Sequence, residues 1–285
     1  MINDQAASLR DLTKFKNRAD KMLRPVRRLA VTSGKGGVGK SNFSLNLGIC
    51  LQQLDQRTLL IDADTNLANI DILMGIHPKF TLTDVILGDK FVKDVLIKGH
   101  EGVQILPAGS GVTEMVGLDH IIQERIDQGM IELETEFDFI ILDTGAGIAE
   151  GVVDCAAGAD EVVVVTTPEP TAITDAYAAI KVISARNPAI KFYLLVNMVK
   201  NADEASGVFK KIQLVVENYL SLQIDSLGFL PRDNYLIKSV AQQQPFVLLY
   251  PRCPAAMNLN MIARRLLKLP APQQTGGSLF RKLFS

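Results

Sequence analysis

The chain has 285 residues, a net charge of −1 and 47% hydrophobic residues, enough apolar content for one large α/β domain or two small ones. The near-neutral charge gives no overall field that would favour nucleic acid. Its three cysteines lie far apart without C-x-x-C spacing, which argues against a zinc site and a secreted disulfide framework and favours a reducing cytosol. A polar N-terminus without a signal-peptide core, and no apolar run near the ~18 residues of a spanning helix, predict a cytoplasmic protein.

Residues 1–24 form a polar and basic segment in front of the first predicted strand. As a helix, the segment has one thin apolar stripe of Leu9, Leu12 and Phe15, which is too narrow to form a core of its own. Segments of this kind often become ordered only on a partner. We therefore separate residues 1–24 from a predicted domain at 25–269.

A glycine-rich loop follows an apolar, β-prone run at residues 29–32. It fits G-x-x-x-x-G-K-[ST], the phosphate-binding loop, and the helical pattern after it is the context that this motif requires. The glycines let backbone N–H groups turn toward phosphate oxygens, and the helix start adds its positive dipole end. Lys40 is placed to reach the β and γ phosphates, and the Ser41 hydroxyl is a candidate Mg²⁺ ligand. The candidate nucleotide-binding residues of the loop are Gly34, Lys35, Gly36, Gly37, Val38, Gly39, Lys40 and Ser41.

A second lysine, Lys35, stands inside this loop, where an ordinary phosphate-binding loop does not need one. With it the loop resembles that of the MinD/ParA class of P-loop ATPases, which reads K-G-G-x-G-K-[ST]. The resemblance implies that Lys35 reaches across a nucleotide-sandwich dimer to the partner subunit's ATP, and that Lys35 and Lys40 take part in catalysis. The alternative for Lys35 is a solvated loop lysine.

The next predicted strand, residues 58–61, leads into two carboxylates, Asp62 and Asp64. In a doubly wound sheet, ligands bind at the carboxyl edge of the strands, where these side chains would lie. Residues 64–71 resemble switch I of the MinD/ParA class. The resemblance implies that Asp64 is catalytic and positions the attacking water, while Asp62 supports the Mg²⁺ shell.

A buried apolar strand at residues 137–142 delivers Asp143 at its tip, followed by Gly145 and Gly147. This is the geometry of a Walker B carboxylate that holds Mg²⁺, often through water. The glycines allow the backbone to approach a γ-phosphate, as switch II does. Many relatives of the class have proline or alanine where Gly145 stands, so we expect a looser loop here.

Two later strand ends supply candidates for binding the nucleotide base. Asn197, at the tip of a predicted strand over 191–199, matches the position where relatives bind adenine. The turn after a short strand at 227–230 resembles the loop that packs on the other face of the base, although amide and turn residues are common at strand ends. The residues of this turn are Pro231, Arg232 and Asp233.

The C-terminal residues divide into a linker and a short amphipathic segment. Residues 270–277 have the Pro, Gly and Thr content of a linker and follow a predicted closing helix at 259–269. As a helix, residues 278–285 place four apolar side chains opposite Arg281 and Lys282, the pattern of an interfacial membrane anchor. The alternative is a peptide docked on its own core. The candidate membrane residues are Leu279, Phe280, Leu283 and Phe284.

Two segments narrow the resemblance within the class. Residues 4–10 resemble the D-Q-A-x-x-L-R signature at the head of flagellar MinD-like ATPases, the FlhG (or FleN) family. Residues 169–177 resemble that family's E-P-T-S-I-T-D-A-Y near the dimer face, where Pro170 suits the mouth of a helix and Thr171 its cap. In that family the N-terminal segment activates FlhF, a GTPase related to the signal-recognition particle. The implied partner-activating residues are Asp4, Gln5, Ala6, Leu9 and Arg10.

Strands alternate with helices and the motifs lie at strand ends, which predicts a doubly wound, mostly parallel α/β sheet with helices on both faces. The resemblance implies an ATP hydrolase that uses ATP/ADP and Mg²⁺ and cycles between a monomer and an ATP-bound, membrane-associated dimer. It also implies control of flagellar number or placement. The implied partners are a second copy, FlhF, an anionic membrane surface, and a flagellar transcription regulator or switch-complex (C-ring) protein.

Other functions of the same superfamily remain open to different degrees. The near-neutral charge disfavours a ParA-like partition ATPase that binds DNA. The scattered cysteines disfavour an iron–sulfur carrier. A binding regulator that holds a transcription factor or the GTPase, with ATP hydrolysis only as an off switch, is not excluded by the sequence.

Overall fold

The computed structural model describes residues 25–64, 69–107 and 120–270, with the side chains of residues 120–123 excepted. The predicted domain over 25–269 falls largely within these ranges. The N-terminal segment, most of the linker and the C-terminal segment lie outside them. The candidate partner-activating and membrane residues therefore lie outside the described residues: Asp4, Gln5, Ala6, Leu9, Arg10, Leu279, Phe280, Leu283 and Phe284.

Within the described residues, eight strands form one sheet. In chain order the strands are β1 Arg27–Ser33, β2 Thr58–Ala63, β3 Ile97–Lys98, β4 Gln104–Pro107, β5 Phe139–Ala146, β6 Glu161–Thr166, β7 Lys191–Val199 and β8 Ile224–Pro231. Their spatial order is β3-β4-β2-β5-β1-β6-β7-β8, and only the edge strand β3 pairs antiparallel. The predicted mostly parallel, doubly wound α/β sheet is confirmed.

Helices cover both faces of this sheet. Those that the structure describes are α1 Lys40–Gln53, α2 Ile70–Met74, α3 Leu82–Ile86, α4 His120–Glu134, α5 Glu150–Ala157, α6 Pro170–Arg186, α7 Ala202–Leu220, α8 Asn234–Ala241, α9 Phe246–Leu249 and α10 Pro254–Leu266. One face packs on α1 and α10, and the opposite face packs on α3 to α7. Among the described residues, none of these helices is long and apolar enough to span a membrane.

Helix α1 is buried on nearly all sides, although the sequence indicates a single apolar stripe through Phe43, Leu47 and Leu51. The polar Ser44 and Asn46 are also buried. The helix lies between the sheet and α10, so that both of its sides meet protein. Both ends of the Asn46 amide have partners: its nitrogen donates to the Asn42 carbonyl at 2.8 Å, and its oxygen accepts the N–H of Val247 in α9 at 3.2 Å.

The start of α6 differs by one detail from the prediction. Pro170 is the first helical residue, as expected, but the N-cap is Glu169 rather than Thr171. Proline at the first helical position already fixes the residue before it in an extended conformation, which puts the cap at Glu169. The Thr171 side chain is thereby free to face the phosphate-binding loop.

Candidate functional site

The phosphate-binding loop connects the carboxyl end of β1 to α1, at the edge of the sheet where ligands bind in this fold. Gly39 caps α1 in a left-handed conformation, with φ 88°, and no side chain of the described residues caps the helix. The first N–H groups of α1 are therefore available to a phosphate group, which the helix dipole also attracts. The loop lines a cavity of about 550 Å³ together with Asp64 and Asn69.

Close contacts with helix α6 and strand β7 leave no room for side chains at the two ends of this loop. A Cβ on Gly34 would overlap the carbonyl oxygen of Asp175 in α6, and one on Gly39 would overlap the Asn197 amide nitrogen. Asn197 donates this nitrogen to the Val38 carbonyl at 2.7 Å, and its oxygen accepts the Met198 N–H at 2.8 Å. Asn197 thus holds the phosphate-binding loop against the tip of β7. It also lines a second cavity beside the loop, which is described below.

At the inner end of the loop, Lys40 is 7% exposed and its Nζ lies 3.6 Å from Oδ1 of the fully buried Asp143. The Ser44 hydroxyl donates to the same oxygen at 2.8 Å from one turn further along α1. Asp143 lies inside β5 rather than at its tip, since the strand continues to Ala146. Lysine, serine and aspartate therefore form one buried polar cluster between α1 and β5.

The second oxygen of Asp143, Oδ2, is buried and has no hydrogen-bond partner among the described residues. Burial raises the Asp143 pKa; the charge of Lys40 and hydrogen bonds from Ser41 and Ser44 lower it, and the Asp64 charge raises it further. A buried carboxylate oxygen without a partner costs free energy unless a cation or donor meets it. Carboxylate and hydroxyl oxygens are hard ligands that suit Mg²⁺, so Asp143 and Ser41 fit a magnesium site beside the phosphate cavity.

Asp62 in β2 lies directly opposite Asp143 in the neighbouring strand β5, as its register partner, and it is also buried. Burial raises the Asp62 pKa to about 6, with the Asp143 charge adding to the rise, against hydrogen bonds from backbone N–H groups. These hydrogen bonds come from Asp64 at 3.3 Å, Asn69 at 3.1 Å and Ile70 at 3.2 Å. The Asp62 carboxylate thus accepts hydrogen bonds from three backbone N–H groups of the chain that follows it.

Asp64 comes directly after β2 and lies at the same edge as Gly145 of β5. An added Cβ on Gly145 would be 3.7 Å from the Asp64 carboxylate and 3.1 Å from Val152 in α5. The expected looseness at Gly145 is not found, because this residue lies inside β5 with Val152 packed against it. Glycine here leaves room for the Asp64 side chain next to the phosphate cavity.

At the outer end of the loop, Lys35 binds its own chain. Its Nζ lies 2.7 Å from the Glu169 carboxylate and 3.2 Å from the Thr171 hydroxyl. Lys35 is 40% exposed and Glu169 is 65% exposed. The lysine is therefore at the surface and paired with the first turn of α6, without being buried.

A second cavity, of about 330 Å³, adjoins the loop on the β7–β8 side. All four candidates for the base lie on its wall: Asn197, Pro231, Arg232 and Asp233. The rest of the wall is mainly apolar, a suitable environment for a planar base. It is supplied by Phe43, Met198, Leu230, Leu236, Ile237, Val240 and Phe246.

The family model for ParA, described as NUBPL iron-transfer P-loop NTPase, matches residues 25–267 of this chain. The chain belongs to the ParA family. The MinD structure from Aquifex aeolicus is similar to this ParA-family chain, with a TM-score of 0.69 and 26% identity, covering 87% of this chain and 99% of that one.

Curated relatives within the ParA family agree with the predicted flagellar resemblance. Antiactivator FleN of Pseudomonas aeruginosa is 38% identical, covering 90% of this chain and 92% of its own length. Flagellum site-determining protein YlxH of Helicobacter pylori is 30% identical, covering 99% and 98%. Septum site-determining protein MinD of Bacillus subtilis is 33% identical, covering 86% and 91%. The predicted resemblance to MinD-like ATPases is confirmed, and this ParA-family chain is an ATPase.

The iron-transfer wording of the family model has no counterpart in the arrangement of cysteines. Cys50 and Cys253 are buried, and burial raises the pKa of the Cys50 thiol to about 12 and that of Cys155 to about 11. Across the described residues, no three His, Cys, Asp or Glu side chains come together as a metal-binding group.

Sequence reasoning missed two residues that the structure brings into the site. Ser44 binds the Asp143 carboxylate, and a serine four residues after Lys40, hence on the same helix face, was the available signal. Glu169 binds Lys35, and no spacing in the sequence indicates that pair, because 134 residues separate the two.

Proposed function

We propose that this ATPase is a switch that regulates the number or placement of flagella and cycles between a monomer and an ATP-bound dimer. The observation that carries the proposal is the 38% identity with Antiactivator FleN over 90% of the chain, together with YlxH over 99%. The alignments cover 90% and 99% of this chain, so the similarity extends well beyond the phosphate-binding loop. The protein would act in the cytoplasm and at the inner face of the cell membrane.

In this proposal the inner end of the loop binds Mg·ATP. Backbone N–H groups of residues 34–41 and the Lys40 ammonium hold the β and γ phosphates, and Ser41 and Asp143 hold the metal. Magnesium, when bound there, would neutralise charge on the phosphate oxygens. Asp64, at the rim of the same cavity, orients the attacking water. The base lies in the apolar cavity against Asn197 and the 231–233 turn.

The outer end of the loop would supply the contact to the second copy. Lys35 is held by an exposed ion pair with Glu169 and a hydrogen bond to the Thr171 hydroxyl. Exposed pairs contribute little stability, so the lysine can exchange Glu169 for phosphate oxygens of the partner subunit's ATP. Exposed apolar side chains surround the loop and would be covered by a partner. They are Ile72, Met198, Ile237 and Val240.

The carboxylates of Asp64 and Asp143 have different proposed roles, the first in hydrolysis and the second in Mg·ATP binding. Asp64→Ala should abolish ATP hydrolysis but leave ATP affinity nearly intact, because a water-positioning group acts on the transition state. Asp143→Ala should weaken Mg·ATP binding itself. Calorimetric titration with ATP and Mg²⁺, alongside phosphate release, measures both, and an equal loss of binding in the two variants would refute this division.

The N-terminal segment, outside the described residues, is proposed to stimulate the GTPase FlhF. A synthetic peptide of residues 1–24 added to purified FlhF should increase GTP turnover, and the same peptide with Gln5→Ala should do so less. A peptide of the same composition in scrambled order serves as control. A native peptide without effect on GTP turnover contradicts this role.

The C-terminal segment, also outside the described residues, is proposed to bring the ATP dimer to anionic membranes. One short amphipathic segment binds weakly, and two on one dimer bind together at high effective concentration. Co-sedimentation with anionic liposomes should be stronger with ATP than with ADP in the Asp64→Ala background, and Phe280→Glu should remove it. Equal binding with both nucleotides contradicts the two-tail mechanism, and wild-type binding by Phe280→Glu shows that another segment is the anchor.

The word antiactivator in the name of the Pseudomonas relative favours a second candidate, in which the ATP state controls binding to a flagellar transcription activator. A pull-down from native cells with Asp64→Ala loaded with ATP or ADP tests it. Recovery of a transcription factor in one nucleotide state and not the other supports this candidate. Recovery of FlhF or a switch-complex protein alone supports the first.

A further inference from the structure

The carboxylate of Asp62 joins two points of the chain that lie on either side of residues 65–68, which are called the switch region below. Its Oδ1 accepts the N–H of Asp64 at 3.3 Å, directly after β2. Its Oδ2 accepts the N–H groups of Asn69 and Ile70, at 3.1 and 3.2 Å, at the start of α2. One buried side chain therefore bonds the backbone just before residues 65–68 and the backbone just after them.

The start of α2 depends on this contact. Asn69 is the N-cap of this five-residue helix, and its own side chain makes no capping hydrogen bond. The first N–H groups of a helix have no partner within the helix, and a side-chain oxygen usually supplies one from the N-cap position. Here the oxygen comes from Asp62, seven residues before Asn69. The side chain that caps α2 therefore also connects this helix to the carboxyl end of β2.

These bonds leave Asp62 little capacity for a metal shell. A carboxylate has about four lone-pair positions, and three of those on Asp62 face backbone N–H groups. Asp143, its register partner in β5, differs in having one buried oxygen with no partner among the described residues. Of the two adjacent carboxylates, Asp143 is free to serve the metal and Asp62 is engaged with the chain.

We propose that Asp62 is a positioning residue that clamps the backbone on both sides of the switch region and thereby fixes Asp64 beside the phosphate cavity. This role replaces the magnesium role that the family resemblance implied for Asp62. It rests on the proposed role of Asp64 in hydrolysis. The clamp itself is a property of the unliganded chain and is tested without nucleotide.

Hydrogen exchange measured by NMR on the full-length, nucleotide-free protein tests the clamp directly. In the wild type, the amides of Asn69 and Ile70 should exchange at least ~10-fold more slowly than unstructured amides, since a charged acceptor holds each of them. In Asp62→Asn the single amide oxygen cannot serve both sides, because the NH2 group that replaces the other oxygen cannot accept a hydrogen bond. Either the Asp64 amide or the Asn69 and Ile70 amides should therefore lose most of the protection seen in the wild type. Wild-type amides at 69 and 70 that exchange at the unstructured rate overturn the clamp, and this result is independent of whether the variant folds.

Kinetics then distinguish positioning from metal binding. Asp62→Asn should lower kcat at least ~10-fold while KM for ATP and the affinity for Mg·ADP, measured by calorimetry, change less than ~3-fold. Asp143→Asn should instead weaken Mg·ADP binding. If Asp62→Asn weakens Mg·ADP as much as Asp143→Asn does, Asp62 serves the metal and the proposal is wrong; an unchanged kcat with lost amide protection also overturns it.

Asp84→Asn is the matched control. Asp84 is likewise an aspartate that accepts a backbone N–H, that of Thr81 at 2.7 Å, at the start of another five-residue helix, α3. It lies outside the walls of both nucleotide cavities. Its substitution should loosen α3 and leave kcat unchanged, so an equal loss of kcat in Asp84→Asn and Asp62→Asn shows a general effect of destabilisation and contradicts a specific role.

Discussion

The two ends of the phosphate-binding loop both hold a lysine against a carboxylate of the same chain, but in opposite environments. Lys40 and Asp143 are buried, with 7% and 0% of their side chains exposed, at a separation of 3.6 Å. Lys35 and Glu169 are 40% and 65% exposed at 2.7 Å. The shorter contact is thus in the environment where water screens it most.

This difference explains how one loop can do two tasks. A buried ion pair is weak evidence for net stability, but removing one member leaves a charge without compensation and is costly. An exposed pair contributes little and exchanges partners easily. In the proposed mechanism the inner lysine therefore stays with the nucleotide of its own subunit, and the outer lysine is the one that contacts a second subunit.

The largest effect is expected from removing the inner carboxylate. Asp143→Ala should lower the free energy of unfolding of the nucleotide-free protein by about 3 kcal/mol, because Lys40 stays buried without its partner. It should also lower Mg·ADP affinity on the order of 100-fold. Urea unfolding and calorimetry measure the two effects. Asp143→Asn, which keeps the volume, is the control, and a stability equal to wild type for Asp143→Ala contradicts the importance of the buried pair.

At the outer end, Lys35→Ala should leave the unfolding midpoint of the monomer unchanged and impair dimerisation. In the Asp64→Ala background with ATP, the dimer dissociation constant should rise at least ~30-fold, because a charge buried at the interface is lost. Light scattering over a concentration series measures it. Lys181→Ala, an exposed lysine elsewhere on α6, should dimerise as its parent does; the same behaviour for Lys35→Ala would end the trans-lysine hypothesis.

A smaller effect at the inner end is expected for Ser44, which holds Asp143 Oδ1 at 2.8 Å. Ser44→Ala should weaken Mg·ADP binding about 10-fold, as the loss of an outer partner of a metal site does, with ADP binding in EDTA unchanged. Ser44→Thr keeps the hydroxyl and should recover part of the affinity. Equal losses with and without Mg²⁺ would show that Ser44 supports the helix rather than the carboxylate.

The smallest effect concerns the titration of Glu169. The Lys35 contact lowers the Glu169 pKa below its ordinary 4.5, so the ion pair is complete above that pH and is lost as the pH falls through the lowered pKa. In Lys35→Ala the Glu169 pKa should return toward the ordinary value, as followed by NMR of the carboxyl carbon. An unchanged Glu169 pKa would mean that the two side chains do not pair in solution.

Much of the nucleotide site could be predicted from the sequence because local patterns determine it. The spacing of Gly34, Gly39 and Lys40, and the apolar runs that end near Asp62 and Asp143, fixed the strand–loop–helix context and the order of motifs along the sheet edge. In a parallel sheet all such ends meet at one edge, so their joint position followed without knowledge of the long-range pairing.

Contacts between distant segments were decided only by the tertiary structure. Periodicity shows which side chains of an element share a face, but it carries no information on which element 100 residues away packs there. The Ser44–Asp143 bond spans 99 residues and the Lys35–Glu169 pair 134. Asp62 is a nearer case: the family resemblance implied a magnesium role, whereas the N–H groups around its carboxylate come from the start of α2, only seven and eight residues along the chain. Sequence periodicity does not show how α2 packs against the end of β2.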